Sequence, residues 1–212
     1  MEKCPVSEVL RRYGMFTVSL FIMAIGVALT LRSDLGSSAI SLLPYTWSLS
    51  SNIHIGMLGF TFTVPSWSVG QYTICMNTIL VLLQIVLLKS GFPKIQLLQM
   101  GTGLVFGLFI DLAMWLTSWF VWDSSISGYL LRLVQLLAAG AIIGFGTACE
   151  VRCNVLLLPG EGFCVALSQF TGIDFGTAYI YTDTPLVVIC SPFLFLFFVT
   201  LNWIILVFTF LF

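Results

Sequence analysis

The sequence predicts an all-α polytopic membrane protein: about five spanning helices and two short re-entrant or half-helices, built from an internal, inverted repeat. The first observation behind this is charge. Only 8% of the 212 residues are charged and 59% are apolar, against roughly 25% charged in ordinary soluble domains. The second is that mean hydropathy is +1.08 over the whole length, so apolar character is not confined to one anchor. The third is a set of matched polar breaks between long apolar runs, taken up below. A soluble fold of this size needs a charged shell, and this composition cannot supply one.

Five runs are long enough to cross a bilayer, which takes about 20 helical residues. They are residues 13–31, 70–88, 97–120, 130–149 and 184–212. The first follows Arg11 and Arg12 and lacks a small-residue cleavage site followed by a polar chain, so it reads as a retained span. Pro192 is expected to kink or divide the last. Two further apolar segments, 38–50 and 160–170, are too short to span comfortably. Each follows a helix-breaking stretch: Arg32-Ser33-Asp34-Leu35-Gly36-Ser37 before one, Pro159-Gly160-Glu161-Gly162 before the other. Such segments fit half-helices that enter and leave by one face. Residues 51–69 form the longest loop, and Trp115, Trp119 and Trp122 mark an interfacial belt. The whole chain, 1–212, is one membrane domain.

The breaks repeat. Leu31-Arg32-Ser33-Asp34-Leu35 aligns with Val151-Arg152-Cys153-Asn154-Val155 at an offset of 120, which also pairs Gly26 with Gly146 and Ser48 with Ser168. After a shorter loop in the second copy, Gly70, Asn77 and Thr78 align with Gly176, Asp183 and Thr184. Repeat 1 runs about 13–89 and repeat 2 about 130–200, joined by the span at 97–120. The positive-inside rule sets the orientation. With five crossings, Lys3, Arg11, Arg12, Lys89, Lys94 and Arg152 fall inside, and Arg32 and Arg132 outside. Seven crossings give four against four. The five-span arrangement puts the N-terminus in the cytoplasm and makes the copies opposite in orientation, as in many secondary transporters.

Asp34-Leu35-Gly36-Ser37-Ser38, Phe106-Gly107-Leu108-Phe109-Ile110-Asp111, and Glu150-Val151 leading to Leu158-Pro159-Gly160-Glu161-Gly162 resemble the YczE/YyaS/YitT family of bacterial integral membrane proteins. Gly172, Gly176 and Asp183-Thr184-Pro185-Leu186 resemble the repeated unit of its YitT branch. The resemblance covers residues 13–188; it departs at Ala39, where the family often has proline, and in the apolar tail 191–212. It implies a bacterial plasma (inner) membrane location and no assigned substrate.

Ionisable and amide groups inside apolar runs each require a reason, at roughly 2.5–3.5 kcal/mol for a charge at a helix centre. Five residues are the candidates for binding a substrate or ion. Asp111 shares a helix face with Gly103 and Gly107, as a coupling carboxylate or a structural hydrogen bond. Asp183 and its mate Asn77 line a shared cavity, or Asp183 caps a helix starting at Thr184-Pro185. Glu161 faces a cavity, or offsets the dipole of the short helix. Asp34 belongs to the site, or caps the helix near Ser37. Arg32 and Arg152 are expected to snorkel to headgroups. Gly140 and Gly144 serve packing inside the molecule or, less simply, a homodimer.

With net charge −1 and no basic stripe, nucleic acid is not an expected partner. The partners expected are the lipid bilayer and an unknown small molecule or ion. Six scattered cysteines and one histidine make no zinc motif, and no cofactor or metal is expected. No nucleophile elbow, zincin helix or phosphate loop occurs, so an enzyme is not expected. The leading expectation is a secondary transporter of a small molecule or ion; the alternatives are a substrate-binding membrane subunit or a non-transporting accessory protein.

Overall fold

The long apolar runs fold as long helices, because a backbone in hydrocarbon must satisfy its own hydrogen bonds. The computed structural model describes residues 6–49, 54–57, 60–63, 65–120, 122, 126–153 and 155–198. Its helices are α1 (Val6–Ser33), α2 (Ala39–Leu49), α3 (Val69–Leu88), α4 (Leu98–Leu116), α5 (Ile126–Cys153), α6 (Pro159–Thr171) and α7 (Phe175–Phe198). Between α2 and α3 lies an antiparallel pair, β1 (His54–Met57) and β2 (Phe60–Thr63), with His54 opposite Thr63 and Met57 opposite Phe60. The pair sits where a plain loop is expected, although Phe60-Thr61-Phe62-Thr63 alternates as a strand does.

The helix lengths run 28, 11 and 20 residues, then 19, then 28, 13 and 24. At 1.5 Å per residue, α2 and α6 reach only about 17–20 Å, short of a hydrocarbon core of about 30 Å. Four helices of the described residues are long and apolar enough to cross a membrane: those centred on α1, α3, α4 and α5. The fifth expected span needs correction at its start. α7 begins at Phe175, not Thr184, and runs through Pro192 to Phe198. The expected tail at 199–212 and Asn154 lie outside the described residues.

α1 is the most buried of the four long apolar helices. It crosses α5 antiparallel, with glycines letting the backbones close up: a β-carbon at Gly26 would lie 2.5 Å from Ile143 Cγ1 and 3.1 Å from the Ala139 carbonyl oxygen. A β-carbon at Gly146 would likewise meet Met23, and the Ser19 carbonyl oxygen at 3.3 Å. On its other side α1 packs on α4, through Phe21 against Phe109 and a core of Phe16, Leu20, Ala24, Ala28, Phe106 and Ile110. α3 lies between α4 and α6, while α2 lies between α3 and α7. Among the described residues α5 has no comparable second cover. In the apolar window of α1, 56% of residues are buried inside the molecule, against 17% for α5.

The outer face of α5 corrects one expectation. A β-carbon at Gly140 or Gly144 would meet nothing within 4 Å, so among the described residues these glycines do not serve internal packing.

Candidate functional site

Two clusters of polar side chains form, one at each helix break. At the second, α6 starts with Pro159 in the favoured first turn and Glu161 two residues on. Glu150, in the last turn of α5, bends back so that its Oε1 accepts the Leu158 amide at 3.0 Å. Its side chain is essentially inaccessible (1%), and its Oε2 has no partner. Gln84 of α3 donates from Nε2 to the Pro159 carbonyl at 3.0 Å, leaving its own Oε1 unpaired. The space a side chain would need at Gly162 is filled by the amides of Gln84 and Gln99. Asn77 lies across Gly103 from Pro159, with its Nδ2 unpaired.

Tyr179 of α7 is the hub on the other side of α6. It lies within electrostatic reach of Glu161, Asp183, Cys164 and Glu150, and Glu150 is within reach of Glu161. The Cys164 thiol donates to Thr182 Oγ1 at 3.5 Å, and Asp183 keeps one unpaired oxygen. At the tip of this cluster Gly160 abuts Ile40, the second residue of α2. The amino ends of both short helices therefore meet, and each carries partial positive charge that favours nearby carboxylates.

Asn77, Glu161 and Asp183 thus gather around α6, while the other two candidates lie apart. Asp183 is not a cap: it sits well inside α7, whose start is capped by Asp174 through the Thr177 amide (2.9 Å) and hydroxyl (2.7 Å). Those two donors hold the Asp174 carboxyl below its ordinary value. Asp111 accepts from Ser68 Oγ at 2.6 Å and the Gly70 amide at 2.8 Å, sitting on the amino end of α3. Gly103 and Gly107 line the same face and bring α4 against α3 at Asn77, Gly70 and Ile74.

Asp34 belongs to the first break. It has a left-handed backbone (φ 52°), a conformation Asp tolerates. The cap of α2 is Ser38, whose carbonyl accepts from Ser41 (3.0 Å) and Leu42 (2.9 Å), so the expected capping by Asp34 does not occur. No hydrogen bond or charge interaction among the described residues joins Asp34 to the α6 group. Its neighbours are Arg132, at 3.8 Å, Arg32 and Tyr45. Arg32 does not snorkel: it donates to the Met114 carbonyl at 2.6 Å and to Thr117 Oγ1 at 3.1 Å, holding the end of α4. Trp115 and Trp119 point outward, whereas Trp122 turns in, donating to Gln135 Oε1.

Glu150, Gln84, Gln99 and Tyr179 are the site residues that the candidate set lacks. Glu150 carried a usable signal, an acid inside an apolar run. The two glutamines carried a weaker one, since an uncharged amide raises no alarm by charge.

Buried polar groups inside a bundle of long apolar helices define the class: a multi-pass helical membrane protein. Within that class, the chain belongs to DUF6198, a family of unknown function, whose match spans residues 10–207. No curated protein and no solved structure matches it.

Proposed function

We propose that this protein is a secondary transporter of a small molecule or ion, built as an inverted repeat, with its binding centre at the start of α6. Kinship with the YczE/YyaS/YitT proteins, a bacterial plasma membrane location and a cytoplasmic N-terminus belong to the same proposal.

The repeat is supported by paired contacts. Under the offset of 120, the approach of Gly26 to Ile143 and Ala139 becomes that of Gly146 to Met23 and Ser19. The contact of Gly160 with Ile40 maps onto itself. Gln84 beside Gly162 becomes Cys190 beside Leu42, with the α3-to-α7 offset of 106, and Cys190 packs on Leu42. Because α1 and α5 cross antiparallel, copies related this way face opposite sides of the bilayer. Half-helices that meet at the centre of such a repeat are where transporters bind substrates and coupling ions.

One observation carries the transport reading: the amino ends of two interrupted helices converge beside buried Glu150, one oxygen of which has no partner. A structural carboxylate is expected to have its acceptors satisfied, because an orphan in a dry interior costs about 1–3 kcal/mol or more. A carboxylate that exchanges a proton or cation needs an unfilled oxygen. Glu161 and Asp183 supply further negative charge, and Asn77 an unpaired donor.

Reconstituted proteoliposomes carrying an internal pH dye test this, challenged with alkali cations, small amines and amino acids. At least one compound is expected to drive proton or substrate movement that Glu150→Gln and Glu161→Gln abolish at equal protein content. A protein that only organises partners would move none of the panel, and both variants would behave as wild type.

A further inference from the structure

The first break holds a different kind of place: a cleft of about 140 Å³ bounded by Arg32, Asp34, Tyr45, Met114, Trp122 and Arg132, with Leu31 and Phe120 completing its wall. Among the described residues, two guanidinium groups face one carboxylate there, leaving one net positive charge. Among the described residues neither arginine is used up. Arg32 donates through Nε and one terminal nitrogen, to Thr117 and Met114. Arg132 donates through one terminal nitrogen to the Trp122 carbonyl at 2.8 Å. The remaining contact of Arg132, to Asp34 at 3.8 Å, is well beyond the 2.7–2.9 Å of a charge-assisted hydrogen bond.

Size and setting narrow the ligand. Drug-sized molecules occupy pockets of about 300–1,000 Å³, and one water's share of liquid volume is about 30 Å³. The cleft therefore takes a polyatomic group rather than a whole substrate. The guanidinium groups come from different helices, α1 and α5, so a group that meets both must offer oxygens in more than one direction. A tetrahedral oxyanion does this better than a planar carboxylate. Two of the aromatic walls, Tyr45 and Trp122, are side chains that suit the boundary between hydrocarbon and headgroups.

We infer that this cleft is a binding site for a phosphate group, held between Arg32 and Arg132, with Asp34 as the competing internal anion. The inference does not depend on the transport reading, since it concerns the other break. The phosphate arrives either as free inorganic phosphate or as the headgroup of an anionic lipid, and the experiment separates the two sources.

Purified protein in zwitterionic detergent is titrated with inorganic phosphate and followed by calorimetry. In parallel, protein in nanodiscs of phosphatidylcholine with or without phosphatidylglycerol is examined by native mass spectrometry for retained lipid. Saturable phosphate binding assigns the free anion, and selective retention of phosphatidylglycerol without it assigns the headgroup; either supports the site. Arg132→Gln is expected to weaken the observed binding at least about tenfold, the loss of one charged hydrogen-bonding partner. Asp34→Asn removes the competitor and is expected to tighten it several-fold, which keeps the test decisive if Arg132→Gln folds poorly. Absence of saturable binding in both arms overturns the inference, as does binding that Asp34→Asn leaves unchanged or weakens.

Discussion

Asp34 and Asp111 are both carboxylates in a greasy chain, yet the molecule answers their cost differently. Asp111 meets two donors at the amino end of α3, the Ser68 hydroxyl and the Gly70 amide, and becomes a fastening between α3 and α4. Asp111→Ala would orphan that amide, and is expected to cost about 1–3 kcal/mol of stability. A lowered thermal midpoint with transport per folded molecule unchanged would bear this out; loss of transport at normal stability would make Asp111 a coupling residue instead. Among the described residues Asp34 meets no hydrogen-bond donor of that kind. Burial is the larger influence on it and pushes its carboxyl above the ordinary 3.8, while Arg132 and then Arg32 pull it back. An acid whose folded value is raised contributes stability that is full below the unfolded value and lost as pH climbs through the folded one. The stability of wild type relative to Asp34→Asn is therefore expected to fall as pH rises from about 3.8. Thermal unfolding in detergent across pH 3.5 to about 7 measures it, and a difference independent of pH would count against a raised Asp34. Both aspartates stood out in the sequence by charge alone. Which of them was fastened depended on Ser68 and Gly70, dozens of residues away, and no local pattern carries that.

Helices α1 and α5 owe their crossing to Gly26 and Gly146, whose missing side chains let the opposing backbones in. Gly26→Val and Gly146→Leu are expected to lose about 1–3 kcal/mol by overpacking. Gly140→Leu and Gly144→Leu, on the open face of α5, are expected to stay within about 0.5 kcal/mol. Equal losses at all four positions would mean that the outer face is packed after all. Midpoints of chemical unfolding in one detergent decide the matter. The short helices were legible because a break followed by a short apolar run leaves few alternatives: α2 and α6 fall within a residue of the segments expected. The start of α7 was not legible. Asp183-Thr184-Pro185 has the form of a helix start, and it lies inside a helix that Asp174 caps further upstream. A local capping signal lost to the continuity of the longer apolar run. The hairpin β1–β2 escaped for a different reason: Phe60-Thr61-Phe62-Thr63 does alternate, but each strand is only four residues long and the stretch carries the glycines of a loop.

At the scale of the whole molecule, the proposed repeat leaves α4 without a counterpart among the described helices. Among the other six helices the main contacts pair under the exchange of α1, α2 and α3 with α5, α6 and α7: α3 with α6 answers α7 with α2, and α2 with α3 answers α6 with α7. If each half crosses twice, with α2 and α6 re-entrant, a single crossing by α4 turns the second half over; if each crosses three times, it does not. That makes topology the sharpest remaining test of the proposed arrangement. In a variant whose native cysteines are replaced, single cysteines at Ser66, Ser90, Ser118 and Thr171 mark the ends of α3, α4, α5 and α7. With α2 and α6 re-entrant, Ser66→Cys and Ser118→Cys are expected to react with a membrane-impermeant maleimide applied to intact cells. Ser90→Cys and Thr171→Cys are expected to react only after permeabilisation. If α2 and α6 crossed instead, the first three positions would exchange sides while Thr171→Cys stayed protected. The charge bias of Lys89 and Lys94 favours the first pattern, because both flank Ser90 and basic residues hold to the cytoplasmic face. Labelling at Ser90→Cys in intact cells would therefore remove the inversion, and with it the reason for two half-helices to meet at Gly160 and Ile40 from opposite sides of the bilayer.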